Sequence, residues 1–399
     1  MPIMQNLELT QILVSWADIS SGSGNLEGLS KMLKILKRDF SSLDGKIEEI
    51  PLSPQIRINL NGEKVESPLG KALRIRKRPE APIQIFFGGH MDTVYPKESL
   101  FQTAEIQDEQ LLNGPGVADM KGGLLVLLKG LEDFEKNINA EKIGWEILIV
   151  PDEEIGSPGS SRLFLEGAAR NQIGLLFEPT LADGTLVSAR KGSWNGTVVA
   201  RGKSAHAGRE FHEGRNAITA LSRFMIKAEE LSDPNGEITV NIGTVEGGGA
   251  TNVVPDFAIC RMNIRMKQPH QVKEIRDELE TLIKKITKET GVSLELFEDS
   301  LRPPKPIDPE TEHLFHALAK CALSLEISLE WQETGGACDG NTLAAAGLPT
   351  IDTLGVIGGN LHTPEEYMEI ASLSQRIKLL TRFLERVASG EITLPKEKP

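Results

Sequence analysis

Residues 83–92, Ile-Gln-Ile-Phe-Phe-Gly-Gly-His-Met-Asp, decide how this chain folds. The apolar run Ile83–Phe87 is short and is followed by two glycines, which predicts a buried β-strand. His90 and Asp92 stand at the carboxyl end of this run. Because alternate residues of a strand face the same side, we expect these two polar side chains to lie together at one edge of a sheet.

Two further apolar strands end in acidic residues in the same way. Trp145–Val150 runs into Pro-Asp-Glu-Glu at 151–154, and Ile173–Phe177 runs into Glu178. Between them and the first strand, Lys121–Phe134 follows a Gly-rich loop and is predicted to be a helix. Strands that alternate with helices indicate an α/β fold with a mostly parallel sheet covered on both faces. In such sheets ligands bind beyond the carboxyl ends of the strands, where these acidic residues stand.

The order of predicted elements changes after about residue 187. A strand, a helix, two strands, a helix and a strand follow, which is a β-α-β-β-α-β unit of ferredoxin-like type that can fold on its own. A Pro-rich stretch at 300–310 indicates a linker. We therefore expect one domain formed by residues 1–186 and 299–399, interrupted by an inserted domain at 187–298. The elements predicted for the insert are Gly196–Arg201, Asn216–Leu231, Glu237–Thr244, Asp256–Met266, Gln271–Thr290 and Val292–Phe297.

Residue types that bind metal ions recur at the strand ends of the first domain. Each has an ordinary explanation when taken alone, such as a hydrogen-bonded His-Asp pair or a solvated acidic turn. Their common position favours one shared site instead. Two imidazoles with several carboxylates suit a pair of zinc ions, because zinc takes nitrogen and carboxylate oxygen ligands. The residues of these types are His90, Asp92, Asp119, Glu153, Glu154, Glu178 and His362.

Asp119 is the candidate bridge between the two metals. Paired metal ions lie about 3.5–4 Å apart, so one carboxylate has to reach both. Asp119 has a short side chain and lies in a stiff Gly-rich loop at 114–123, which suits this task. Asp92 is expected to accept the other ring N–H of its neighbour His90 and so to fix the tautomer of that ligand.

Six short motifs, in order along the chain, carry a family resemblance. In these motifs the chain resembles the co-catalytic zinc family that contains glutamate carboxypeptidase, acetylornithine deacetylase, succinyl-diaminopimelate desuccinylase and the aminoacylases. The likeness extends from near residue 10 to about residue 390. The motifs are His-Met-Asp-Thr at 90–93, Gly-Val-Ala-Asp-Met-Lys-Gly-Gly at 116–123, Asp-Glu-Glu-Ile-Gly at 152–156, Phe-Glu-Pro at 177–179, Gly-Lys-Ser-Ala-His-Ala-Gly at 202–208 and His-Thr at 362–363.

The resemblance implies two zinc ions that share Asp119, with cobalt or manganese as possible substitutes. It also implies a cis peptide bond between Asp119 and Met120. The first domain would then be the catalytic, zinc-binding one. The implied ligand sets are His90, Asp119 and Glu178 for one ion, and Asp119, Glu154 and His362 for the other.

The same resemblance implies functions for further residues. Glu153 would be the general base, and His206, from the inserted domain, would polarise the scissile carbonyl. Arg265, Asn252 and the Gly-rich loop around Gly336 would bind the carboxylate of the substrate, for which a guanidinium is well suited. The inserted domain would serve as a lid that closes over the substrate, and relatives often form homodimers through it, so a homodimer is expected.

The activity implied is hydrolysis of an amide bond next to a free carboxylate, in a small peptide or an N-acyl amino acid. Carboxypeptidase action like that of glutamate carboxypeptidase is favoured. A deacylase of acetylornithine or succinyl-diaminopimelate type is the alternative in the same class. Two alternatives lie outside it: a two-metal phosphoesterase, and a metal-binding homologue that has lost catalysis.

Composition limits the classes of binding partner and the cellular compartment that we expect for this protein. A net charge of -13 argues against nucleic acid or an anionic membrane as the main partner. The sequence has neither an apparent secretory signal nor an apolar run long enough to span a membrane. Its three cysteines are widely spaced and odd in number, as in a reducing compartment, so we expect a cytoplasmic protein.

Two signals near the motifs have a structural interpretation. Residues 363–366, Thr-Pro-Glu-Glu, predict the start of a helix with proline in its first turn and a capping box. Cys338 lies in the Gly-rich loop, at a position where relatives carry small or hydroxyl residues, and is not expected to be catalytic.

Overall fold

A computed structural model of the chain describes residues 2–107 and 110–395. Helices and strands alternate through most of this range. The helices are α1 Pro2–Ala17, α2 Leu26–Phe40, α3 Lys121–Phe134, α4 Ser161–Ala168, α5 Ala217–Glu229, α6 Pro269–Thr290, α7 Pro309–Leu323, α8 Asp339–Ala345 and α9 Ile370–Ser389. The strands are β1 Lys46–Pro51, β2 Gln55–Ile58, β3 Lys64–Ser67, β4 Lys71–Lys77, β5 Ile83–His90, β6 Glu105–Gln107, β7 Leu111–Asn113, β8 Ile143–Val150, β9 Ile173–Leu176, β10 Leu186–Arg190, β11 Gly192–Arg201, β12 Ile238–Gly247, β13 Phe257–Met266, β14 Ser293–Arg302, β15 Trp331–Thr334, β16 Thr350–Ile351, β17 Gly358–Gly359 and β18 Tyr367–Glu369.

The largest sheet has six strands in the order β1-β4-β8-β5-β9-β16. Strands β8, β5, β9 and β16 run parallel, and β4 and β1 extend the sheet in antiparallel fashion. This confirms the α/β class and the mostly parallel sheet. Every residue of β8 is buried, as expected for a strand covered on both faces.

Two hydrophobic cores lie on opposite faces of this sheet. Phe87 packs with residues of α1, α2, α3 and α9 on one face. Its neighbour Phe86 packs with residues of α4 and with Leu343 of α8 on the other. Because successive side chains of a strand alternate between faces, one short apolar run supplies both cores.

The inserted unit has a separate four-stranded sheet in the order β12-β13-β11-β14. Its strands are antiparallel, and α5 and α6 contribute to its own hydrophobic core. The observed order β11-α5-β12-β13-α6-β14 is the expected β-α-β-β-α-β unit, and the strand arrangement is that of a ferredoxin-like sheet.

The limits of this sheet differ by a few residues from the expected limits of 187 and 298. Strand β10 pairs in parallel with β15, which lies outside the inserted unit, and the inserted sheet begins at Gly192. At the other end β14 continues to Arg302, which pairs with Ser193. Its last residues, Glu298 to Arg302, are mostly polar, so they gave no strand signal.

None of the helices within residues 2–107 and 110–395 combines the length and apolar character needed to cross a membrane.

Candidate metal centre and active site

Three neighbouring parallel strands bring the first candidate ligands together. His90 is the last residue of β5, and Glu178 follows the end of β9 by two residues. Glu153 and Glu154 lie on a single helical turn, Glu153–Ile155, just after β8. Because β8, β5 and β9 are adjacent in the sheet, their carboxyl ends meet at one edge.

Asp119 stands between the two histidines. Its Oδ1 lies 3.1 Å from Nε2 of His90, and its Oδ2 lies 3.3 Å from Nε2 of His362. The peptide bond between Asp119 and Met120 is cis, as the sequence led us to expect. The two carboxylate oxygens of Asp119 therefore face two different imidazoles.

Each imidazole has a second carboxylate beside it. Glu178 Oε2 is 3.8 Å from Nε2 of His90, and Glu154 Oε2 is 3.4 Å from Nε2 of His362. One ligand atom from each of His90, Asp119 and Glu154 can be chosen so that all three lie within 4.8 Å of one another. Two sets of one nitrogen and two oxygen atoms, joined through Asp119, are a donor arrangement that fits two neighbouring cations.

Asp92 contacts several of these residues from the buried side of the cluster. His90 Nδ1 lies 2.9 Å from the backbone oxygen of Asp92 and 3.3 Å from its Oδ1. The same carboxylate accepts the backbone N–H groups of Glu153 and Glu154, at 3.2 and 3.1 Å, and the Ser23 hydroxyl at 2.7 Å. Asp92 thus orients one candidate ligand ring and the turn that carries two acidic residues.

Burial dominates the electrostatics of the cluster. It raises the pKa of Glu154 well above its ordinary value and also raises the pKa of Glu178. Burial opposes ionisation of Asp119 too, but hydrogen bonds from His362 and His90 outweigh it and hold the pKa of Asp119 below its ordinary value. His90 is completely buried, which disfavours its charged form, yet Asp119 and the neighbouring carboxylates raise its pKa well above the ordinary value. The site concentrates more carboxylates than imidazoles in a buried place, and bound cations would compensate the excess negative charge.

Glu153 differs from the candidate metal ligands because its side chain is paired with an arginine. Arg302 Nη2 lies 2.8 Å from Glu153 Oε1 and donates to the backbone oxygen of Glu153 at 2.7 Å. Burial nevertheless raises the pKa of Glu153 well above its ordinary value. A carboxyl group with a raised pKa at the edge of a cavity suits proton transfer near neutral pH.

A cavity of about 480 Å³ opens over this cluster, between the main sheet and the inserted sheet. The residues from the sequence prediction that line it are Asp119, Glu153, Glu154, Glu178, Arg265, Gly336 and His362. His90 and Asp92 lie beneath it, almost fully buried. The structure therefore brings together the expected ligands, the expected base and two of the three expected substrate contacts.

Two arginines that sequence reasoning missed also line the cavity. Arg190, at the end of β10, forms a bidentate ion pair with Asp352. Its Nε lies 3.0 Å from Oδ2 and its Nη2 lies 3.1 Å from Oδ1. Arg302, at the end of β14, binds Glu153 and lies 3.3 Å from Asp339. Both stand where the chain enters or leaves the inserted sheet. That position was the available sequence signal, because a crossing between two domains is a common place for a ligand site.

His206 and Asn252 are placed elsewhere. Both side chains are exposed, and neither is among the described residues that line the cavity. They adjoin each other in the inserted unit, where the N–H of Ala207 donates to the backbone oxygen of Asn252 at 2.9 Å. In this conformation of one chain, the two residues are not at the metal centre.

The helix predicted to start at Thr363 does not form there. Residues 363–366 form turns that lead into β18, and α9 begins only at Ile370. Glu366, expected to cap a helix, is 1% exposed and is engaged elsewhere. Its burial against the loop of Asp119 explains why the capping-box interpretation is wrong.

Comparisons with known proteins identify the family of this chain. The model for peptidase family M20/M25/M40 matches residues 86–386. Carboxypeptidase G2 of a Pseudomonas species is 25% identical over 385 residues, which cover 94% of this chain and 88% of that protein. Succinyl-diaminopimelate desuccinylase of Nitrosospira multiformis is 26% identical over 373 residues, which cover 88% of this chain and 96% of that protein.

Solved structures share the whole fold. The aminopeptidase PepT of Bacillus cereus has a TM-score of 0.73 at 23% identity, covering 96% of this chain and 99% of that one. The YXEP protein of Bacillus subtilis, described as a dinuclear metal binding peptidase, has a TM-score of 0.66 at 15% identity, covering 96% of this chain and 98% of that one. The family match spans most of the chain, including the whole inserted sheet. The chain therefore belongs to peptidase family M20/M25/M40 and is a hydrolase that acts on C–N bonds.

Proposed function

We propose that this chain is a two-metal hydrolase that cleaves the amide bond next to a free carboxylate, with carboxypeptidase action on small peptides or N-acyl amino acids. The observation that carries the proposal is the position of Asp119, whose two oxygens face the separate pairs His90–Glu178 and His362–Glu154. The likeness to carboxypeptidase G2 over 94% of this chain supports the carboxypeptidase assignment.

Two zinc ions are the proposed cofactors, and cobalt or manganese would fit the same nitrogen and oxygen donors. When bound, such ions would polarise the scissile carbonyl and would lower the pKa of a water molecule far below its ordinary value, towards about 7. The proposed ligands of one ion are His90, Asp119 and Glu178, and those of the other are Asp119, Glu154 and His362.

Glu153 is the proposed general base. Arg302 occupies its Oε1, which leaves Oε2 to take a proton from the attacking water and to deliver it to the leaving nitrogen. The raised pKa of Glu153 supports this use, because the group has to hold the proton between the two transfers.

Arg265 is the proposed contact for the substrate carboxylate. The other two arginines of the cavity are already paired with acidic side chains, Arg190 with Asp352 and Arg302 with Glu153. Arg265 donates to Asn263 Oδ1 at 2.8 Å and to the backbone oxygen of Gly335 at 3.4 Å. Among the described residues no carboxylate is within ion-pair distance of it, so its charge is available to a ligand. Such a local cation would counter the negative charge of the whole protein when an anionic substrate approaches.

Replacement of this guanidinium tests the assignment. We expect Arg265→Gln to lower kcat/KM by about 10- to 100-fold, mainly through KM, because a charge-assisted hydrogen bond contributes about 1.5–3 kcal/mol. Steady-state kinetics would measure the change, and Arg265→Lys should recover part of it. Arg261→Gln on the same strand is the matched control, since Arg261 donates to the backbone oxygen of Ile58 and is not among the described residues that line the cavity. An unchanged KM in Arg265→Gln would exclude this contact.

We further propose that the inserted unit is a lid and a dimerisation domain, with residues 1–186 and 299–399 as the catalytic domain, adjusted to the strand limits given above. Strand β12 lies at the edge of the inserted sheet and exposes Val245. An unpaired strand edge with an exposed apolar side chain supports pairing with a second copy. Closure of the lid, or a partner subunit, would bring His206 and Asn252 to the substrate.

A deacylase is the second candidate, and the desuccinylase relative at 26% identity favours it. Both candidates use the same metals and base, and they differ in the group attached to the scissile nitrogen. Metal-reconstituted protein should be assayed against N-acyl amino acids and dipeptides. Release of a C-terminal amino acid, glutamate above all, would support the carboxypeptidase. Release of acetate from N-acetylornithine or succinate from N-succinyl-diaminopimelate would support the deacylase, and absence of turnover throughout would contradict both.

A further inference from the structure

We propose that Glu366 is a positioning residue for the metal centre, which acts with Tyr95 to hold Asp119 and the loop of His362 in place for the metal ion between Glu154 and His362. This inference rests on the proposed two-metal function. Neither residue belongs to the motifs from which the ligands were predicted.

The first contact is with the backbone of the bridging residue. Glu366 Oε1 accepts the N–H of Ala118 at 3.0 Å and the N–H of Asp119 at 3.1 Å. One carboxylate oxygen therefore fixes two successive amides at the position from which the Asp119 side chain projects. A shift of this backbone would move both carboxylate oxygens of Asp119 relative to the two histidines.

The second contact reaches the loop of the other ligand. The Tyr95 hydroxyl lies 2.8 Å from Glu366 Oε2 and 2.8 Å from the backbone oxygen of Thr363, the residue after His362. It donates its single proton to one of them at a time. The backbone oxygen of Glu366 also accepts the Asn113 side chain at 2.7 Å, so the whole segment is tied to β7. Through these bonds Glu366 connects Asp119 to the segment that carries His362.

The charge of Glu366 gives a second reason to expect an effect on metal binding. Its side chain is buried, and among the described residues no lysine or arginine forms an ion pair with it. Lys121, which is also buried, interacts with Glu366 only beyond ion-pair distance. A buried carboxylate with no cation in direct contact is costly, and two N–H groups with a phenol compensate it only in part. Two divalent cations held by the adjacent Asp119 would supply the missing positive charge. Glu366 is then expected to strengthen metal binding through its charge as well as its geometry.

These contacts predict a larger effect on one metal than on the other. Glu366 and Tyr95 touch Asp119 and the loop of His362, whereas His90 is held by Asp92. Because Asp119 faces both histidines, both metals should be weakened, but the metal of His362 and Glu154 should be weakened more than the metal of His90 and Glu178. A residue with only a structural function would change stability without separating the two metals.

Cobalt titration of the full chain, freed of metal and followed by visible absorption and by metal analysis, tests the inference. Wild-type protein should bind two Co²⁺ ions. Glu366→Gln keeps an oxygen that can accept both N–H groups but removes the charge, and we expect about 10- to 100-fold weaker binding of one ion and a smaller loss for the other. Tyr95→Phe should weaken the same ion, and Glu366→Ala should lose it. Glu365→Gln, an exposed neighbour, is the matched control and should bind as wild type.

The outcomes separate this inference from the proposed function. Two Co²⁺ ions bound with wild-type affinity in both Glu366→Gln and Tyr95→Phe would overturn it, as would equal weakening of both ions. These two variants decide the question if Glu366→Ala does not fold. A wild-type protein that binds no divalent metal would instead overturn the proposed function.

Discussion

Glu153→Gln is expected to lower kcat by about 10²- to 10⁴-fold, the usual contribution of a positioned general base, while both metals remain bound. The amide can still accept the hydrogen bond that Arg302 makes to Glu153 Oε1, so the local geometry should persist. The amide cannot take a proton from water or return one to the leaving nitrogen. Turnover at saturating substrate, measured together with metal content, would show the loss.

Glu154→Gln is the informative control for this experiment. Glu154 and Glu153 are adjacent, and burial raises the pKa of both, but only Glu154 faces His362, at 3.4 Å. Its replacement should remove a metal, whereas that of Glu153 should not. Near-wild-type kcat in Glu153→Gln would reject it as the base, and loss of metal would identify it as a ligand.

The clustering of the candidate ligands was predictable because several of them obey a rule of local sequence. His90 and Glu178 each follow an apolar strand, and parallel strands bring their carboxyl ends to one edge. Arg302 obeys no such rule: it reaches Glu153 from 149 positions further along the chain. The capping-box prediction for Glu366 was wrong for a related reason. A Thr-x-x-Glu pattern looks the same in the sequence whether the glutamate caps a helix or accepts hydrogen bonds from the amides of a distant loop.

Predictability of the fold followed the strength of the apolar pattern. Lys121–Phe134, almost wholly buried, was predicted with its observed limits. By contrast, β1 runs along the edge of the main sheet with charged and half-exposed residues, and its sequence carries no comparable signal. The short strands β17 and β18 depend on pairing with each other and with β7, which only the folded chain supplies.

His206→Ala is expected to lower kcat by about 10²- to 10³-fold, the contribution of one donor to a developing oxyanion. Metal binding should be unchanged, because His206 is exposed and lies outside the ligand cluster. Its ring Nδ1 accepts the N–H of Gly208 at 3.1 Å, which leaves Nε2 free to donate to a substrate carbonyl. Kinetics and metal analysis on the same preparation would separate the two effects, and a parallel loss of metal would point to a ligand instead.

The same variant can decide which chain supplies the histidine. If His206 acts across a homodimer, mixing inactive His206→Ala with inactive Glu153→Gln should restore activity. Each mixed dimer would then have one site with an intact Glu153 from the first variant and an intact His206 from the second. If His206 acts within its own chain by lid closure, every site in the mixture lacks one of the two groups and no activity should return. Because Glu153 follows a strand of the main sheet and His206 belongs to the inserted unit, recovery in the mixture would also show that the inserted unit of one subunit reaches the metal centre of the other.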